Sequence, residues 1–426
     1  MSLRWLTALL AAASLLAACG DGGGGTDRTK AQLRLVNASD AYASLDLRVD
    51  GQLRLAGVPY GGVADYVAVD PSDAESEITR SGSTTPLLSF TPAVARDRHY
   101  TLLAYGAEGD LRQLQIDDNA GDADDGRTLL RVVNAAPDAG ALDVYLTAGD
   151  DALAQAVPVQ AGAQYGTAGN LLTVNSATWR LRVTAAGSKT DLRLDLPGVE
   201  LASRGIVTLV LTPGRGGVLL NALLITQRGS IERRDTTQAR VRVAAGVADS
   251  GAVSASVGGI VLMSSVGSPA VGLYALLPAG TQPVVLAVNG TPLAADPVTL
   301  SAGADYTLLV RGMPQEPQAH WIEDDNRRPA DSGSAKLRLV NGAAALAAPL
   351  SMTADFVPVA DGVVPGAASS YASVEATLTA QLSVTAAGLP APLFSAVDQP
   401  LVAGSVYTVF LVGPPTAAVG ILRKDR

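Results

Sequence analysis

Along much of the chain, apolar and polar residues alternate with a period of two. Leu45, Leu47 and Val49 are separated by Asp46 and Arg48, and Leu142, Val144 and Leu146 by Asp143 and Tyr145. Successive side chains on an extended strand point to opposite faces, so such stretches set one face in a core and the other in water. Short, wholly apolar runs lie between them. One of these, Val284–Val288, ends in Asn289-Gly290, a tight-turn signal. Pro and Gly recur too often for long helices. The pattern predicts roughly seven short strands per hundred residues, and hence two-sheet sandwiches of immunoglobulin-like size; a small closed barrel is the alternative.

The pattern also repeats. Leu33-Arg34-Leu35-Val36-Asn37 returns as Leu130-Arg131-Val132-Val133-Asn134, as Val241-Arg242-Val243-Ala244-Ala245 and as Leu337-Arg338-Leu339-Val340-Asn341. A Tyr-Thr step inside an apolar run follows in three copies, at Tyr100-Thr101, Tyr306-Thr307 and Tyr407-Thr408; copy two has Val207-Thr208 there. Markers in one order at a period near 100 residues predict one module four times over. The boundaries read as 31–119, 127–234, 238–326 and 335–426. The expected fold class is all-β: four tandem immunoglobulin-like β-sandwich modules.

The first residues do not fit that scheme. Arg4 precedes an apolar run, Leu6 to Leu16, that is too short to span a bilayer, and small residues then lead to Cys19, the only cysteine in the chain. That is the layout of a secretory signal over 1–18. Leu16-Ala17-Ala18-Cys19 resembles the lipobox of bacterial lipoproteins. The resemblance implies cleavage before Cys19, diacylglycerol on its thiol and a membrane partner reached through the lipid. Gly20 in place of Asp implies the outer membrane. The Gly-rich polar stretch that completes 19–30 has nothing to bury and reads as a flexible tether.

Composition narrows the function. Lys plus Arg is 31 against 40 Asp plus Glu, for a formal net charge of −9. An acidic chain with no basic cluster lacks the electrostatic footprint for nucleic acid. The only histidines are His99 and His320, and no free thiol is left if Cys19 is lipidated. Nucleophile-elbow, metalloprotease and phosphate-loop spacings are all missing, so the reading is non-enzymatic, with no firm cofactor.

The recurring polar residues read as structural. Asn37, Asn134 and Asn341 end a strand, where an amide can bond backbone beyond the ladder. Arg34, Arg131, Arg242 and Arg338 lie between apolar neighbours and are expected on the solvent face. Tyr100, Tyr306 and Tyr407 are similar to a tyrosine corner, with the ring in the core and the hydroxyl on backbone. One acidic feature offers a ligand: Asp117, Asp118 and Asn119, and Asp324, Asp325 and Asn326, cluster at module junctions and supply oxygen donors of the type calcium takes. The competing reading there is a solvated linker.

The opening Leu130–Leu146 (LRVVNAAPDAGALDVYL), the later Ala-Gly-x-x-Tyr-Thr and the closing Ile116-Asp117-Asp118-Asn119 resemble the bacterial domain of unknown function 4397. That domain typically occurs in tandem in secreted and lipid-anchored proteins, and no chemistry is assigned to it. Copy three departs with Ala244-Ala245 for Val-Asn. The functional reading is a lipid-anchored envelope array for structure, adhesion or interaction, with a protein or glycan partner. The alternative is a carbohydrate- or small-ligand-binding lipoprotein, for which Trp179 and Trp321 are the candidate aromatics.

Overall fold

The computed structural model describes residues 27–426. The signal and Cys19 expectations lie outside the described residues, as does most of the tether. The tether's last residues, Asp27–Lys30, form a turn, and Lys30 Nζ donates to Asp70 Oδ2 at 2.6 Å.

The chain is all-β. Module 1 has eight strands: β1 (Ala31–Asn37), β2 (Ser44–Val49), β3 (Gln52–Pro59), β4 (Val67–Val69), β5 (Ser76–Arg80), β6 (Pro86–Phe90), β7 (His99–Tyr105) and β8 (Arg112–Asp117). They form two four-stranded sheets, ordered β4-β1-β7-β8 and β3-β2-β5-β6. All neighbours are antiparallel except β1 and β7, which run parallel from Gln32↔His99 to Asn37↔Ala104. Leu33 and Leu35 of the first sheet share one apolar cluster with Leu45, Leu47 and Ile78 of the second, which makes the unit a sandwich. Leu45, Leu47 and Val49 face the core as expected, but the residues between do not all reach water: Asp46 is buried, accepting from the Gly57 and Gly82 N–H, and Asp143 and Tyr145 are buried too.

The plan recurs. The counterparts of β1 are Arg127–Asn134, Gln238–Val247 and Ser334–Ala343; those of β7 are Gly205–Pro213, Asp305–Met313 and Val406–Gly413, each parallel to its β1 counterpart. No sheet shares strands between copies. Asn289 and Gly290 both take positive φ (50° and 80°) and close the hairpin from Val284–Val288 to Thr291–Leu293, the backbone that an Asn-Gly turn supplies at little cost.

β7 and its counterparts are buried on both faces. Tyr100, Leu102 and Ala104 point into the sandwich, whereas Leu103 and Tyr105 join Val36, Val133, Val210 and Ile225 in a cluster that spans modules 1 and 2. Val340, Phe410 and Val412 of module 4 meet Ala244 and Leu309 of module 3 in the same way. The modules therefore associate through the outer faces of their β1–β7 sheets, pairing 1 with 2 and 3 with 4.

Candidate functional site

The repeated arginines decide how the paired modules meet. Arg34, Arg242 and Arg338 are only 2–3% exposed, and Arg34 and Arg338 are the largest fully buried side chains among the described residues. This corrects the solvent-facing expectation. They do point away from their own sandwich core, but a second module covers that face.

In module 3, Arg242 Nε donates to Thr307 Oγ1 (2.9 Å), and the hydroxyls of Thr307 and Tyr274 each donate to Asp324 Oδ2 at 2.6 Å. Module 4 repeats the arrangement with Arg338, Thr408 and Asp425, at 3.1 and 2.6 Å. The guanidinium heads then cross. Arg338 Nη2 donates to Asp324 of module 3, and Arg242 donates to both oxygens of Asp425 of module 4, with Nη2–Oδ2 at 3.0 Å. Arg242 lies 4.5 Å over the Tyr274 ring and 5.0 Å over Phe410; Arg338 lies 4.5 Å over Tyr371.

An isolated buried charge costs several kcal/mol, roughly, and survives only when paired and hydrogen-bonded, as these are. Burial alone would raise the Asp324 carboxyl. Arg338 and Arg242 outweigh it, with the Thr307 and Tyr274 hydroxyls, and hold it below the usual carboxylate range. Burial and the neighbouring carboxylates drive the Tyr274 phenol well up, so it stays a donor.

The pair formed by modules 1 and 2 has half of this device. Arg34 Nε donates to Thr101 (2.7 Å), and Thr101 and Tyr66 donate to Asp118. Module 2, however, has Gln227 where Asp425 stands and Leu171 where Tyr371 stands. The Arg34 head therefore takes backbone carbonyls, Gly229 O at 2.7 Å and Thr226 O at 3.2 Å. Arg228 reaches back to Asp118 O at 3.0 Å. Burial lowers the Arg131 pKa, and the charges of Asp118 and Asp117 only partly offset this.

The other recurring residues take the predicted structural roles. Asn37 Nδ2 donates to Tyr42 O, Asn134 Nδ2 to Gly140 O and Asn341 Nδ2 to Val363 O, while each amide oxygen accepts the backbone N–H two residues on. The Tyr100, Tyr306 and Tyr407 hydroxyls accept from the N–H of Ala95, Ser301 and Val402 at 3.0–3.2 Å, each five residues upstream.

The junction residues divide between solvent and interior, with Asp117 exposed and Asn119 and Asp325 half-buried. Asp118, Asp324 and Asn326 are buried. Asn326 Nδ2 donates to Asp305 and Tyr274, Asp325 pairs with Arg327 and Lys336, and Asp117 accepts from Asn119. The Asp118, Asp324 and Asp325 carboxylates already face cationic or hydroxyl donors, and Asp117 faces the Asn119 N–H groups. Among the described residues, no group of three or more His, Cys, Asp or Glu side chains converges to hold a metal. His99 stacks edge-on against Tyr66 at 5.0 Å, and His320 packs onto Gly366, where a Cβ would come within 2.6 Å of its ring. Sequence reasoning missed Tyr66, Tyr274, Tyr371, Asp425 and the three threonines. The available signal was the unbroken apolar run around each Tyr-Thr step, a mark of strands covered on both faces.

The family model described as Domain of unknown function (DUF4397) matches residues 31–145 and 239–349, together just over half of the chain. The chain belongs to this family. Each DUF4397 match runs past one module into the start of the next. No curated protein matches the chain. Among solved structures, a Bacteroides uniformis protein described as a "putative cell adhesion protein" is similar at 11% identity and a TM-score of 0.21, over 47% of this chain and 99% of that one. The Bacillus anthracis TIE protein is similar at 8% identity and a TM-score of 0.15, over 88% and 66%.

Proposed function

We propose that this DUF4397 protein is a non-enzymatic interaction array of the cell envelope, tethered by a lipid on Cys19, that presents the outward-facing sheets of stiffly paired modules for adhesion or structural contact. One observation carries the reading. The repeated arginines, threonines and aspartates are spent on cohesion between modules, and the repeated asparagines and tyrosines on backbone bonds within them. The surfaces left open are the second sheets and their turns. Leu53, Val261, Val285, Phe356, Val357 and Val397 are exposed there, and apolar side chains outside a core support contact with a partner. The acidic balance argues against nucleic acid, and Gly20 after Cys19 favours the outer membrane.

The test has two arms. Metabolic labelling with a fatty-acid probe and membrane fractionation should show Cys19-dependent lipid and release of a Cys19→Ser variant into the soluble fraction. Cross-linking in envelopes should capture partners that are lost when Phe356 and Val357 are changed to Ser. A Cys19→Ser variant that stays in the membrane fraction would overturn the anchor. Capture unchanged by the surface substitutions would overturn the interacting face.

A further inference from the structure

The four sandwiches are not closed alike. In each, one side lies between the edge strand of the second sheet and the edge of the first. In module 1, Leu87, Leu88 and Phe90 of β6 pack into that side, and Gln115 of β8 donates to Ala93 O beyond it. In module 2, Leu194 and Leu196 meet Leu224. In module 4 the Phe394 ring lies on Gly420, so close that a Cβ there would come within 2.4 Å of it.

Module 3 lacks such a plug. Its edge strand, Thr291–Leu293, has three residues, against five to ten in the other modules, and continues as Ala294-Ala295-Asp296-Pro297. Small residues thus face the position that holds Gln115, Leu224 and Leu422 elsewhere, and here that position is Trp321, paired with Leu308. The result is a cleft of about 630 Å³ between the sheets, with Leu286 and Leu293 at its base, Trp321 as a wall, and Asp296 and Gln318 at its mouth. Tyr306 holds the indole edge-on at 6.4 Å. The Trp179 indole N–H is tied to Asn175 O at 3.1 Å, whereas that of Trp321 has no partner among the described residues. Asp296 is exposed and forms no ion pair among them.

We infer that this cleft is a carbohydrate subsite, taking one neutral pyranose ring of a glycan. An apolar side chain would satisfy Leu286 and Leu293 but offer nothing to the polar groups of Trp321 and Asp296, which also line the cleft. A pyranose meets both demands: its C–H face lies on the indole, its hydroxyls donate to Asp296, and its ring or hydroxyl oxygens accept from the indole N–H and the Gln318 amide. A neutral sugar also suits a chain whose net charge repels acidic glycans. The inference rests on the reading of the chain as a binding array and names one ligand class for it.

The test is calorimetric titration of the whole chain with cellotriose, maltotriose and N,N′-diacetylchitobiose. At least one of them is expected to bind saturably at millimolar affinity or better. Trp321→Ala should weaken that binding more than about tenfold, and Trp179→Ala should leave it unchanged. Trp321 also packs in the core, so Ala295→Phe serves as a second variant. It supplies the plug found in modules 1 and 4 and should abolish binding while the thermal transition is kept or raised. Saturable binding by none of the three sugars, or binding that persists in Ala295→Phe, would overturn the subsite. Envelope partners still captured through Phe356 and Val357 would then show that the array reading survives without it.

Discussion

Arg338 of module 4 donates to Asp324 of module 3, and the favour is returned along the same interface by Arg242 and Asp425. The exchange is self-complementary, as in a two-fold symmetric dimer, although both halves belong to one chain. Each carboxylate is also anchored by a threonine of its own module, so neither side chain can leave without stranding a charge in the interface.

Removing one partner should therefore cost more than an ordinary surface ion pair. Arg338→Ala leaves Asp324 with Thr307, Tyr274 and a more distant Arg242, and is expected to destabilise the pair of modules 3 and 4 by about 3–5 kcal/mol. Urea unfolding of the whole chain checks this. A double-mutant cycle with Asp324→Asn should give a coupling energy of about 1–3 kcal/mol.

The incomplete pair makes the opposite prediction. Arg34, Arg131 and Arg228 converge near one carboxylate, Asp118, because Gln227 stands where the exchange needs an acid. Gln227→Asp should give the Arg34 head a charged acceptor. It is expected to stabilise the pair of modules 1 and 2 by about 1 kcal/mol, after loss of the Gln227 bond to Ala120 O. A lowered unfolding midpoint would count against the analogy between Gln227 and Asp425.

The tyrosine corners are separable from the interface. Tyr407→Phe keeps the ring in the core and deletes only the acceptor for the Val402 N–H, and should cost about 1 kcal/mol by denaturant titration. Module 2, with Val207 at that place, has no such bond to lose.

Mild acid should weaken the contact at His320. Burial, aided by the Arg311 charge, holds its pKa below 6.5. The unfolded chain then binds a proton before the folded one does. Stability from the neutral ring is complete above pH 6.5 and falls as pH drops from there toward the folded-state pKa. Urea midpoints measured between about pH 7.5 and 5.5 should decline more in the native chain than in His320→Gln.

Much of this architecture was written locally. Alternation at Leu45, Leu47 and Val49, the Asn289-Gly290 turn, the corner tyrosines and the strand-ending asparagines act over a few residues, and their repetition at a fixed order marks four copies of one sandwich. The fate of Arg34, Arg242 and Arg338 was not local. An arginine flanked by apolar residues points out of its own core whether water or another module lies beyond, so the residues around it read the same in both cases. The acids at Asp118, Asp324 and Asp425 likewise look like linker charges until the sheets pair and a guanidinium from another part of the chain arrives. The cleft at Trp321 depends on an edge strand that stops after three residues and on small side chains across from it, a juxtaposition of segments brought together only when the sheets close. The sequence by itself determined the strands, the turns and the repeat, because hydrophobic periodicity and turn chemistry are short-range. The tertiary structure alone decided which faces are covered and which charges meet, because burial is a property of what packs on top.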